Sequence, residues 1–230
     1  GVYEGKSAVL MGQYVSEAEQ LTVVDLFGSA PVSASNAAEV DGEYDGLTRR
    51  RFERNYLRAH GCLPRVVEGE SSTVGAHVVA RTVRFAHVDA SHLYANVVDD
   101  ICAVRPLLME GGVVVFDDIR SEHTPGVPAA VFGAVRSLGL RPFMITPLKL
   151  YASWEHAGRW AETCHRWAEE QGAAHTVQEI AEVQVVLMPT TARPQDARWV
   201  TLVPPALLPA ARLARARSEW LVDPLRRAAR

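Results

Sequence analysis

The sequence predicts an α/β protein built on a mainly parallel sheet flanked by helices. Three observations carry that prediction. Short apolar runs of strand length alternate with stretches of helical periodicity. Several of these runs end on an acid. The chain, at 230 residues, is long enough to bury a substantial core and is read as one domain over residues 1–230. Its 48% hydrophobic and 22% charged residues are ordinary for a globular protein. The net charge of −3 offers no basic face for nucleic acid. No apolar run approaches the roughly 20 residues of a membrane span, and no signal peptide is seen, so a cytoplasmic protein is expected. Cys62, Cys102 and Cys164 are odd in number and lack CxxC spacing, which predicts reduced core thiols. Lys6 and Lys149 are the only lysines, an arginine bias that reads as coding composition without mechanistic weight.

The elements follow in order. LTVVDLF (21–27) is β-branched and ends at an acid, as a buried strand would. The segment 28–46 is poor in apolar residues, carries Glu39, Asp41, Glu43 and Asp45, and reads as a long loop of the kind that serves as a lid. RRRFERNYLRAHG (49–61) reads as a helix with Phe52, Tyr56 and Leu57 on its packed face and Gly61 as its stop. PRVVEGES is a short strand entering a turn. VRFAHVD is the next strand. LYANVVDDICAVRPLL follows as a helix, apolar at Leu93, Val97, Ile101 and Val104. GGVVVFDD is a strand, and a helix runs from about Pro125 to Leu138. RPFMITPLKLYASW reads as one later strand, EHAGRWAETCHRWAEEQG as a helix and EVQVVLMP as a last strand. The C-terminal PAARLARARSEWLVDPLRRAAR predicts a basic amphipathic helix.

The chemistry-bearing residues cluster at strand ends. GVYEGKSA opens the chain with Gly1 and Gly5, which permit a tight turn and close backbone approach to a ligand at a helix N-terminus. Asp25 ends the next strand, where an acid commonly accepts hydrogen bonds from ribose hydroxyls. In an open α/β sheet ligands bind outside the carboxyl ends of the strands, so Asp25, Asp89, Asp117 and Asp118 should line one cleft. Each alone could be a turn residue or a helix cap. Three acids converging from two strands would repel unless a hard divalent cation joins them. His92 lies one helical turn from Asp89 and reads as a general base. His87, His60, His77, His165 and His175 read as packing, and His123 as within reach of a substrate. A rival reading takes EGKS as the second half of a P-loop, making the protein a phosphotransferase or NTPase with VVVFDD assisting magnesium. It leaves Asp25 and the Asp89–His92 pair without a role. A catalytically silent cofactor-binding protein is the third reading.

Taken in order, GVYEGKSA, TVVDLF, VVEGES, FAHVDASHLYANVVDDI, RPLLMEGGVVVFDD and PGVPAAV resemble a class I S-adenosylmethionine-dependent methyltransferase of Rossmann-like fold. The closer resemblance is to the macrocin O-methyltransferase-like family, which methylates sugar hydroxyls of antibiotics. It covers roughly residues 1 to 135, and D-A-S-H followed by F-D-D is its most specific part. The resemblance implies S-adenosylmethionine as cofactor and places Gly1, Glu4, Gly5 and Ser7 around its amino-acid and sulfonium end. Asp25 would hold the ribose, and Gly69, Glu70 and Ser71 would lie near the adenine, with Asp89 bordering the cofactor. It further implies a metal, Mg²⁺ with Mn²⁺ or Ca²⁺ as alternatives, on Asp89, Asp117 and Asp118. Asp89 and His92 would form the catalytic pair, His92 being the base, and a glycosylated small molecule the partner. It also implies a first strand before Gly1 and assembly as a homo-oligomer. Ala90 departs from the family's usual glycine before the Ser-His pair.

Overall fold

A computed structural model describes residues 1–31, 36, 37, 39 and 47–189. Contacts divide the chain into two units, Gly1–Thr190 and Thr191–Arg230. The second unit, with the expected C-terminal helix, lies outside the described residues, as do Asp41, Glu43 and Asp45.

A first group of elements comprises α1 (Lys6–Gly12), β1 (Thr22–Asp25), α2 (Arg49–Leu57) and β2 (Arg65–Glu68). β1 and β2 pair in parallel, Asp25 opposite Glu68. Thr48 caps α2, its hydroxyl accepting from the N–H of Arg51, three residues on. From α2, Phe52 and Tyr56 pack with Ala8, Val23 and Phe27. Leu57 was expected on that face but is 47% exposed, because the helix ends there and its side chain points past the packed turn.

A six-stranded sheet holds the rest, in the order β3 (Val83–Val88), β4 (Leu108–Phe116), β6 (Leu150–Ser153), β5 (Arg141–Ile145), β8 (Val183–Leu187) and β7 (Thr176–Ile180). Three helices accompany it: α3 (Tyr94–Val104), α4 (Gly126–Ser137) and α5 (Ala157–Glu170). β4 lies inside the sheet between β3 and β6, and its apolar run is buried on both faces. Val114 and Phe116 join the core formed with Val97, Ile101 and Val131 of α3 and α4. Val113 and Val115 face Phe143 and the alanines of α5.

The α/β class with helices around a central sheet matches the expectation, but the sheet is mixed. β3–β4 and β5–β8 are parallel, whereas β4–β6, β5–β6 and β7–β8 are antiparallel. The difference lies in RPFMITPLKLYASW, which is a hairpin and not one strand, and in β7, which turns back against β8. The hairpin turn closes where the N–H of Thr146 donates to the Lys149 carbonyl and the Thr146 hydroxyl accepts from the Lys149 N–H. Strand β7 was not foreseen. The cysteines are not core thiols: Cys62 and Cys102 are exposed and Cys164 is half-buried.

Candidate active site

The opening loop runs between the carboxyl ends of β1 and β3. Asp25 fixes one side of it: Oδ2 accepts from the N–H groups of Val2 (2.7 Å) and Tyr3 (3.1 Å), while Oδ1 accepts from Phe27 (2.8 Å). Gly1 meets the other side, where an added Cβ would lie 2.3 Å from the Asp89 carbonyl oxygen. Only glycine permits that approach. Gly5 stands at the start of α1 with φ of 96°, and a Cβ there would press on the Phe52 ring at 2.9 Å. Glu4 pairs with Arg51 at 2.5 Å. Glu4, Gly5 and Ser7 therefore shape the loop and start the helix; they do not line the cleft.

The cleft itself encloses about 460 Å³. It brings together most of the residues expected from sequence: Gly1, Asp25, Gly69, Glu70, Ser71, Asp89, His92 and Asp118. Asn36, Asn96 and Asp100 also line it without having been foreseen, as does Glu39, which was singled out only as one acid of the 28–46 loop. Lys6, which the P-loop reading needs at a phosphate, is exposed at the start of α1 and is not part of the wall.

His92 is gripped from two sides. The Glu39 carboxylate accepts from the His92 backbone N–H at 2.7 Å and lies 3.1 Å from its ring Nδ1. Its other oxygen accepts from the Ser91 hydroxyl at 2.6 Å. Because a carboxylate only accepts, this contact sets Nδ1 as the protonated nitrogen and turns Nε2 toward Asp118 Oδ2, 3.4 Å away. The hydrogen bond to Glu39 raises the His92 pKa above the usual imidazole value against the opposing effect of burial. Burial works against charge on Glu39 too, yet its bonds to His92 and Ser91 hold it below the usual carboxylate range. His123 stands edge-on to the His92 ring, centroids 6.1 Å apart.

The acids sort themselves into two groups that share Asp89. Asp89, His92 and Asp118 can present ligand atoms within 4.8 Å of one another, and so can His87, Asp89 and Asp117. Asp118 adopts a φ of 55°, a left-handed conformation that Asp tolerates better than most residues. That turn separates it from Asp117. The Ser121 hydroxyl holds Asp118 Oδ1 at 2.6 Å, leaving Oδ2 to the cleft.

Asp117 has a different partner. Phe116 of β4 pairs with Leu150 of β6, so the antiparallel register sets Lys149 opposite Asp117. The Lys149 ammonium contacts Asp117 Oδ2 and lies 3.1 Å from His87 Nε2. Burial alone would push the Asp117 pKa up, but the bonds from Lys149 and from the Asp118 N–H, with the Lys149 charge, together outweigh it and the net shift is down. Burial and the Lys149 charge push His87 down to about 4, so it is neutral and accepts from Lys149. His87 is thus part of the charge network, not inert packing. Asp89, by burial and by the Asp117 carboxylate, is pushed up to about 6. Lys149 was missed by sequence reasoning, although it is one of only two lysines in an arginine-rich chain.

No curated protein matches the chain. Solved structures similar to it include the apo form of CalS11, described as a TDP-rhamnose 3'-O-methyltransferase of calicheamicin biosynthesis. Identity is 18%, with 67% of this chain and 69% of that chain covered and a TM-score of 0.46. The O-methyltransferase NovP is 18% identical over 66% of this chain and 69% of its own, with a TM-score of 0.49. A protein from Corynebacterium glutamicum is 17% identical over 65% and 68%, with a TM-score of 0.43. Residues 1–119, more than half of the chain, match the family model described as a methyltransferase domain, and the protein belongs to that family, the S-adenosylmethionine-dependent methyltransferases.

Proposed function

We propose that the protein moves the methyl group of S-adenosylmethionine to a hydroxyl of a sugar on a small natural product, with a divalent cation and His92 activating that hydroxyl. The observation that carries this reading is the meeting of His92, Asp89 and Asp118 at one end of the cofactor cleft. A hydroxyl is a poor nucleophile until its proton leaves. His92 Nε2, oriented by Glu39, is the group that takes the proton. The cleft walls hold cofactor and acceptor in line and exclude water, which supplies much of the acceleration.

The residues suit a hard cation in one arrangement. Burial and the Asp117 carboxylate penalise the charge on Asp89, a penalty that a cation would relieve, and Asp118 Oδ2 faces the same space. We assign the cation to Asp89 and Asp118, with Asp117 neutralised by Lys149 and serving as support. Bound there, it would lower the pKa of the acceptor hydroxyl as a Lewis acid. The sugar acceptor rests on the D-A-S-H and F-D-D motifs.

The test is turnover of S-adenosylmethionine against a panel of nucleotide-linked and natural-product deoxysugars, scored by mass for a single added methyl. The expected result is methylation of at least one sugar by wild type and a fall of roughly two to four orders of magnitude in His92→Ala. Transfer that survives unchanged in His92→Ala would remove the histidine from the chemistry.

A further inference from the structure

The acids at the strand ends offer two places for a cation, and one of them is filled from within the chain. Donor atoms of His87, Asp89 and Asp117 lie within 4.8 Å of one another, and Asp89 belongs equally to the group formed with His92 and Asp118. Strand register builds this row. Val88 of β3 lies beside Phe116 of β4, and the Asp117 N–H donates to the Val88 carbonyl at 3.1 Å, so Asp89 and Asp117 leave their strands side by side. A carboxylate shared between two donor groups is an arrangement that can hold a pair of divalent ions about 3.5–4 Å apart. His87 Nε2 and Asp117 Oδ2 lie 3.7 Å apart. One ion at about 2.1 Å from each could bridge that span.

A lysine stands in that place. The Lys149 ammonium contacts Asp117 Oδ2 and lies 3.1 Å from His87 Nε2. An ammonium only donates, so it takes the very lone pairs that a metal ion would need. The two positive charges would also meet at contact distance, and each excludes the other. The hairpin presents the lysine on a fixed turn: Thr146 closes on its backbone, and the N–H of Ile119, the residue after Asp118, donates to the Leu148 carbonyl at 2.9 Å. In a chain whose only other lysine is Lys6, the residue type carries meaning. A compact ammonium fits between an imidazole and a carboxylate, where the wide planar fork of arginine would not.

We propose that Lys149 is a tethered cation that fills the second of two cation places, between His87, Asp89 and Asp117, and so holds the protein to a single divalent ion on Asp89 and Asp118. The proposal rests on the reading of a divalent ion at Asp89 and Asp118. It makes Lys149 a positioning residue, which is no part of the cleft wall and leaves Asp89 to the ion beside His92.

The experiment counts Mn²⁺ bound to exhaustively chelated protein, by loss of the free-ion signal in electron paramagnetic resonance, for wild type, Lys149→Met and Lys149→Gln. Imidazole and carboxylate together suit that ion. Wild type should bind one ion per chain and each variant two, because loss of the ammonium frees His87 and Asp117. The two ions of a variant share Asp89, so their spectrum should show the coupling of neighbouring spins, which wild type lacks. Mn²⁺ should also raise the melting temperature of either variant more than that of wild type, a gain that a purely structural lysine would not produce. Each variant is checked by a cooperative melt, so that if one fails to fold the other decides. One ion in wild type and variants alike, or two in wild type, overturns the proposal while the cation on Asp89 and Asp118 stands. No ion in wild type removes that cation and the proposal together.

Discussion

Asp25 uses three backbone N–H groups to hold the opening loop against β1, which leaves one lone-pair direction for a ligand hydroxyl. Asp25→Ala should therefore weaken S-adenosylhomocysteine binding by roughly ten- to more than a hundredfold, about 1.5–3 kcal/mol, and leave metal affinity intact; calorimetry with each ligand reads both. The Glu39–His92 contact leads to a pH prediction. His92 must be neutral to accept a proton, and its pKa is raised by Glu39, so activity should fall on the acid side from above the ordinary imidazole value. Glu39→Gln keeps an oxygen for the backbone N–H but removes the charge, so that limb should move to lower pH while turnover drops. A limb that stays in place in the pH–rate profile would reduce Glu39 to a cap for α3. Asp89 and His92 were legible in the sequence because their spacing is local. Glu39 was not, since it reaches Ser91 and His92 from 52 and 53 residues away. Asp100 was hidden by its place in an amphipathic helix, where Val97 and Ile101 define the packed face and an acid between them reads as solvent-facing.

The β5–β6 hairpin is the element that changes the site most. Pro147 is the one mark of the TPLK turn, and with no Gly or Asn beside it the run from Arg141 to Trp154 was read as one strand, so the lysine at its exit carried no meaning. The antiparallel register gives it one: Lys149 neutralises Asp117 and bonds to His87. Lys149→Met should cost on the order of 2 kcal/mol in denaturant unfolding, because a largely buried carboxylate loses its counter-charge. The double variant Lys149→Met with Asp117→Leu should recover most of that loss; a cost that persists would mean the lysine acts through packing alone. Five strands were read correctly, Thr22–Asp25, Arg65–Glu68, Val83–Val88, Leu108–Phe116 and Val183–Leu187, and all but the last run into an acid. Local pattern suffices there, because both faces are buried or the end is marked.

Across the molecule, the charges of the cleft divide: Glu39 and His92 stabilise each other's, whereas that of Asp89 is held at a cost. Asp89 has a folded pKa raised from 3.8 to about 6, so it favours the folded state below pH 3.8, and that contribution is lost as pH rises through about 6. Relative to Asp89→Asn, metal-free wild type should thus lose melting temperature between about pH 4 and 6, and magnesium should restore it above that window in wild type alone. Equal melts with and without magnesium at pH 7 would take the cation away from Asp89. The α/β class and the cleft at the strand ends were legible from periodicity and from acids closing apolar runs. The mixed strand directions were not, because they depend on a turn marked by Pro147 alone and on the exposed strand β7, which has no apolar run. The account as a whole depends on what the cleft between the opening loop, Asp25 and Ser71 holds. The direct test is paired calorimetric titration of metal-free wild-type protein with S-adenosylhomocysteine and with ATP. The account predicts saturable binding of S-adenosylhomocysteine at one site per chain and no binding of ATP; binding of ATP with none of S-adenosylhomocysteine would contradict it.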